Sequence, residues 1–373
     1  MKSQAEGLTQ GLTQGLVVVV TAIFLLGCVS IFSTTSAEVL DHTLSTGEHV
    51  QLFKQLGYAA AGLLLAWAVY RAGFERVFEA VPFLMNLFIA LLILTLIPGI
   101  GREVNGSKRW LFLFGVSFQP SEFVKILVPA FFLYYYRGGT RAFEAPFKDF
   151  LKLTLRSLIP VFLILIEPNN GTAMVITLAL VLTFWLANVP FKYWALPLLV
   201  VCAIGAVFAT SLPYVARRLE VYLYPERDLK GKGHQPYQAK IATGSGGLFG
   251  KGPAKSLQKL SYLPEAQNDY IAAIFAEEFG FLGIALLIIL YMALAAFGFT
   301  IASRAQEGPP MAIAAMATFL ITFQAFLNLG VVSGLLPSTG LNLPFFSQGG
   351  SSLMANTVEL SLLFQIGGTC QKS

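Results

Sequence analysis

Between Lys259 and Gly280 the chain reads KLSYLPEAQNDYIAAIFAEEFG. One carboxylate, Asp269, stands at the mouth of a long apolar run, just after a basic, glycine-rich stretch. A carboxylate there can take a proton from an attacking hydroxyl. Cations beside it can stabilise charge developing on a phosphate or pyrophosphate leaving group. This pairing suits chemistry on an anionic, lipid-linked substrate at a membrane surface better than passage through a pore. Asp is also a preferred residue at helix N-termini, where it accepts from free backbone N–H groups. Capping and catalysis are compatible, but the helix dipole favours the charged carboxylate and weakens it as a base. A catalytic role therefore needs an opposing influence such as partial burial. Glu277 lies eight residues on, about 800° of helix, which leaves it about 80° from Asp269 around the axis. Glu278 beside it fits an interhelical hydrogen bond or an interfacial position.

Ionisable groups inside spanning segments are expensive, so each is a functional candidate. Glu122 and Lys125 share a helix face at i, i+3 spacing. They form either a self-neutralising ion pair or a lysine aimed at substrate phosphates and steadied by its glutamate. Glu359 is isolated in the last apolar segment and calls for a polar partner. Lys108 and Arg109 sit in a short turn beside Trp110. The segment 213–269 holds nine cations (Arg217, Arg218, Arg227, Lys230, Lys232, Lys240, Lys251, Lys255, Lys259) against five acids (Glu220, Glu226, Asp228, Glu265, Asp269). It is either a solvated surface loop or an electropositive funnel for phosphate headgroups. Its run Gly244–Gly252 permits close backbone approach to such a group, although a flexible hinge has the same composition.

Of 373 residues, 55% are hydrophobic and 12% charged, against about 25% charged in soluble domains. That composition reads as an all-α polytopic membrane protein with one integral membrane domain over 1–373. Ten segments have spanning character, near 15–33, 51–70, 79–99, 119–136, 155–168, 171–188, 194–212, 270–302, 310–335 and 351–369. The fifth and sixth are short and separated only by Glu167-Pro168-Asn169-Asn170-Gly171, a turn signal that fits one broken helix as well. The first run lacks a small-residue cleavage site and reads as a retained span. With both termini cytoplasmic, the inner loops hold eleven cations: Lys2, Arg71, Arg76, Arg137, Arg141, Lys148, Lys152, Arg156, Lys192, Arg304 and Lys372. The short outer loops then hold four: Lys54, Arg102, Lys108 and Arg109. The positive-inside rule selects that orientation and puts the large loop 213–269, between helices 7 and 8, on the extracytoplasmic side. Cys28, Cys202 and Cys370 form no disulfide or CxxC pattern. No nucleic-acid or ATP motif is present.

Several motifs occur in order: VNGSKRW at 104–110, QPSEFVK at 119–125, GTA at 171–173, GSGGLFGKG at 244–252, QKLSYLPE at 258–265 and LPFFSQGGSS at 343–352. Together they resemble the SEDS family (shape, elongation, division and sporulation) over nearly the whole chain. The wording of VNGSKRW and GSGGLFGKG is closer to its division members than to its elongation members. The resemblance implies a peptidoglycan glycosyltransferase of the bacterial inner membrane, polymerising lipid II on the outer face beside a class B penicillin-binding protein. The family's essential aspartate lies in a pattern similar to His-Thr-Asp-Phe, matched here by Gln267-Asn268-Asp269-Tyr270. Four positions depart from the usual pattern: Asn169 for Asp, His234 for Tyr, Gln267 for His and Gln348 for Tyr.

The implied reaction is a single, inverting displacement with Asp269 as base. Lys108, Arg109, Lys125, Arg217 and Arg218, with a divalent cation such as Mg2+ as a further candidate, would stabilise the leaving pyrophosphate. Glu122, Gln238, Lys259 and Ser351 complete the expected substrate-binding set, and no metal ligands are assigned. The rival class is non-enzymatic: a lipid II flippase, or a scaffold for the crosslinking partner. Transport would need Glu122, Lys125 and Glu277 to line a continuous polar path.

Overall fold

The computed structural model describes residues 2–41, 50–104, 107–113, 116–136, 147–199, 220–229, 231, 233–259 and 267–369. Eleven helices are named here: α1 Lys2–Asp41, α2 Val50–Ala72, α3 Phe74–Glu79, α4 Val81–Leu96, α5 Pro120–Tyr136, α6 Phe147–Ile166, α7 Asn170–Leu186, α8 His234–Ser245, α9 Ile271–Arg304, α10 Pro309–Val332 and α11 Gly350–Thr369. Each of the ten expected spans falls on helix, the third on α3 and α4 together and the seventh on helical residues 191–199, with the rest of that span outside the described residues. By length and composition, four helices among the described residues suffice to cross a membrane: residues 10–35 of α1, then α2, α9 and α10; α4 and α7 are shorter apolar helices. The fold is that of an all-α polytopic membrane protein.

Burial follows from each helix's place in the bundle. α5 is buried from Pro120 to Leu133, packed among α4, α6, α7, α10 and α11. α2 packs along α11 and turns Leu63, Leu64 and Trp67 outward, as a lipid-facing side requires. The Glu167–Gly171 turn joins two separate helices: Asn169 is the N-cap of α7, its side chain accepting from Thr172 N.

Two elements differ from the sequence reading. The stretch Val104–Trp110, expected as a turn, lies within an antiparallel sheet of β1 Gly101–Val104, β2 Ser107–Leu113 and β3 Val116–Phe118. Arg102 pairs with Trp110 and Leu111 with Phe118. Strands of three to seven residues are too short for alternation to stand out in sequence.

The second difference is in α9, which is two helices in line. Gly280 sits at φ 67°, ψ −164°, a region open in practice only to glycine. The break frees backbone groups on both sides, and the glycine run satisfies them. Lys251 N and Gly252 N donate to Glu277 O and Glu278 O, while Phe281 N and Leu282 N donate to Gly247 O and Leu248 O. Added Cβ atoms at Gly246 and Gly250 would each lie 2.1 Å from an α9 carbonyl oxygen. The close approach expected toward a phosphate is thus made to a helix break.

Candidate active site

Asp269 lies just ahead of α9. Tyr270 takes the N-cap position, with no side-chain capping bond, so the helix starts at Ile271 and the 80° relation to Glu277 does not apply. Hydrogen bonds from α10 and from the segment 336–349 hold the Asp269 segment in place. Asn328 Nδ2, from α10, donates to Asp269 O and to Leu341 O, both at 2.8 Å. Gln348 N donates to Gln267 O at 3.0 Å. The 336–349 segment therefore wraps the aspartate, and a Cβ on Gly340 would lie 3.8 Å from Asp269 Oδ2. Gln267 and Gln348, two of the four departures, meet here, and Gln348 Nε2 donates to Gln51 Oε1 of α2 at 2.6 Å. His234, a third, opens α8.

From this segment the contacts run to the start of α5. Gly171 packs on Thr339, where a Cβ would lie 2.3 Å from its carbonyl oxygen. Asn169, the fourth departure, donates to Ser121 Oγ at 3.5 Å, and Gln119 N donates to Ser351 Oγ at 2.8 Å. Arg109, on β2, donates from Nε to Glu167 O at 3.2 Å and from Nη2 to Pro168 O at 2.6 Å. Arg109, Ser351, Glu122 and Asp269, far apart in sequence, thus belong to one end of the bundle. Lys108 is half-buried on β2, and Gln238 half-buried on α8. α8 reaches the same end, since the Lys240 side chain lies against Gly334. Tyr222 OH adds a bond to Leu335 O at 2.7 Å. Arg217 and Arg218 lie outside the described residues.

The charged candidates have defined partners. Lys125, about 1% exposed, donates to Glu122 Oε2 at 2.8 Å and to Gln324 Oε1 at 2.6 Å. Lys259 donates to Glu278 Oε1 and to Ser33 Oγ of α1, both at 2.9 Å. Glu277 accepts from Lys251 Nζ at 2.5 Å, from Ser245 Oγ, Leu257 N and Gln258 N, and from Ser256 Oγ. Glu359 has no hydrogen-bond partner for either oxygen among the described residues. No group of three or more His, Cys, Asp or Glu among the described residues forms a metal site, and no step below is routed through one.

Sequence reasoning passed over Gln324 and Asn328, which tie α10 to the site, and Glu167, whose carboxylate accepts from Thr95 Oγ1. The signal was present. Two amides at i, i+4 in an apolar span are costly unless paired.

Comparison with known proteins identifies the family. The family model described as cell cycle protein, for FtsW, RodA and SpoVE, matches residues 14–371. A Legionella pneumophila protein named probable peptidoglycan glycosyltransferase FtsW is 38% identical over 323 residues, 84% of this chain and 81% of that protein. A Thioalkalivibrio sulfidiphilus protein of the same name is 37% identical over 365 residues, 96% and 90% of the two chains. Among solved structures, a chain from work on structural coordination of polymerization and crosslinking by a peptidoglycan synthase complex superposes with a TM-score of 0.75 at 27% identity, covering 95% of this chain and 97% of that one. The rod shape determining protein RodA of Thermus thermophilus gives 0.67 at 27% identity, covering 95% and 96%. The chain belongs to the FtsW/RodA/SpoVE family of cell cycle proteins.

Proposed function

We propose that this chain is a peptidoglycan glycosyltransferase that polymerises lipid II at the outer face of the bacterial cytoplasmic membrane. The whole chain, 1–373, acts as one membrane domain with both termini cytoplasmic and 213–269 outside. A class B penicillin-binding protein is its crosslinking partner. The observation that carries the reading is the placement of Asp269: a carboxylate at the mouth of α9, one residue ahead of its N-cap position, and wrapped by the segment 336–349.

Asp269 accepts the proton of a sugar hydroxyl as that oxygen bonds to the anomeric carbon of a second lipid-linked saccharide. The bond to pyrophosphate breaks, its electron pair leaves with the phosphate, and the anomeric centre inverts. One base and one set of positive charges suffice. Lys108 and Arg109, with Arg217 and Arg218, are the proposed partners of the pyrophosphate. Lys125 contributes at one remove, by holding Gln324. Gln238, Ser351 and Glu122 belong to the walls of the site, and Lys259 to the loop beside it.

Glu122, Lys125 and Glu277 spend their polar groups on fixed protein partners, which argues against their lining a transport path. The test is polymerisation of purified lipid II by the protein with its class B partner, wild type beside Asp269→Asn. Long glycan strands from wild type and none from the folded variant are expected. Equal products from both would remove Asp269 as the base, and no product from wild type would favour a flippase or a scaffold.

A further inference from the structure

α10 carries two amides one turn apart, Gln324 and Asn328, each about 1% exposed. Lys125 sets the first: its ammonium donates to Gln324 Oε1, so Nε2 is the end that donates to Asn342 O at 2.9 Å. The carbonyls of Asp269 and Leu341 set the second, because both take their bond from Asn328 Nδ2. Turning that amide over would press its oxygen against two carbonyl oxygens, none of which can donate. The locked orientation leaves Asn328 Oδ1 buried without a partner among the described residues. A buried position normally avoids such an acceptor. A site that keeps it gives up stability, and the two bonds from the nitrogen are what it gains.

From this geometry we infer that Asn328 is a positioning residue for the glycosyl transfer. It pins the peptide of Asp269 to the 336–349 segment and so sets the direction of the carboxylate. The inference rests on the reading of Asp269 as the base. Gln324 supports it by holding the next carbonyl of the same segment, with Lys125 and Glu122 behind it.

The experiment is the rate of strand synthesis against lipid II concentration for the full chain with its class B partner. Wild type, Asn328→Ala, Asn328→Ser and Asp269→Asn are compared, each scaled to the folded fraction from thermal unfolding. Asn328→Ala should lower kcat about tenfold or more with KM within about twofold, because a small misplacement of a catalytic group is costly. Asn328→Ser, which keeps one donor, should recover part of that loss. Unchanged kcat per folded molecule, or a raised KM alone, would overturn the inference. If the alanine variant does not fold, the serine variant decides by the same split. Loss of activity in Asp269→Asn beside unaffected Asn328 variants rejects Asn328 alone, whereas full activity in Asp269→Asn rejects the base and the positioning role together.

Discussion

Glu277 is wholly buried and gathers five donors from residues 245–258. Removing it takes the acceptor from the buried Ser256 hydroxyl and from the partly exposed Lys251 ammonium, Ser245 hydroxyl and two backbone N–H groups at once. Glu277→Ala should therefore destabilise the protein by about 3 kcal/mol, and Glu277→Gln by less, since it keeps an acceptor. Thermal unfolding in detergent reads the difference, and equal loss in both would refute the account. The Lys259–Glu278 pair is a different case, because both partners are buried. Breaking one side leaves an unpaired charge, whereas replacing both with apolar residues removes the desolvation cost as well. Lys259→Met should cost more than Lys259→Met with Glu278→Leu, by about 2 kcal/mol or more, in a double-mutant cycle. A double variant worse than the single would show that Ser33 and the surrounding packing require the charges. At this scale the place of Asp269 at a helix mouth was legible, because the apolar run that becomes α9 begins directly after it. Asn328 was not, because an amide in a span looks the same whether it bonds to its own helix, to a neighbour or to a catalytic peptide.

The helices were legible because apolar length depends on composition alone. The break in α9 was not: hydropathy runs unbroken through Gly280, and only the backbone angle separates the two halves. The glycine run and Gly280 form one element, and their chemistry gives opposite signs at two positions. A methyl at Gly280 would lie 2.3 Å from Gly250 N, at a positive φ. Gly280→Ala should cost about 3 kcal/mol or more, from backbone strain and steric overlap together. Gly244, in the last turn of α8, has nothing within 4 Å of an added Cβ. Gly244→Ala should stabilise by about 0.5 kcal/mol, since alanine loses less entropy in a helix. An unfolding temperature that does not fall for Gly280→Ala would remove the assigned role of Gly280.

For the molecule as a whole, the sequence indicated which segments cross the bilayer but not how their ends meet. Bonds such as Gln348 to Gln51 and Gln119 to Ser351 link residues 297 and 232 positions apart, and no local pattern encodes them. Orientation is the property that turns the assembled end into an outer-face site, and it rests on charge. Positively charged loops resist translocation, so in the proposed orientation eleven cations lie on the cytoplasmic side against four in the short outer loops. Lys152, exposed near the start of α6, and Lys255, exposed beside the glycine run, lie on opposite sides in that orientation. Single cysteines at these two positions, with Cys28, Cys202 and Cys370 changed to serine, make the question measurable. In intact spheroplasts a membrane-impermeant maleimide should label Lys255→Cys and leave Lys152→Cys unlabelled until the membrane is opened. The reverse pattern would move Asp269 and its surrounding cations to the cytoplasmic side. Lipid II polymerised there could not join a wall outside the membrane, so the reversal would undo the proposed function along with the topology.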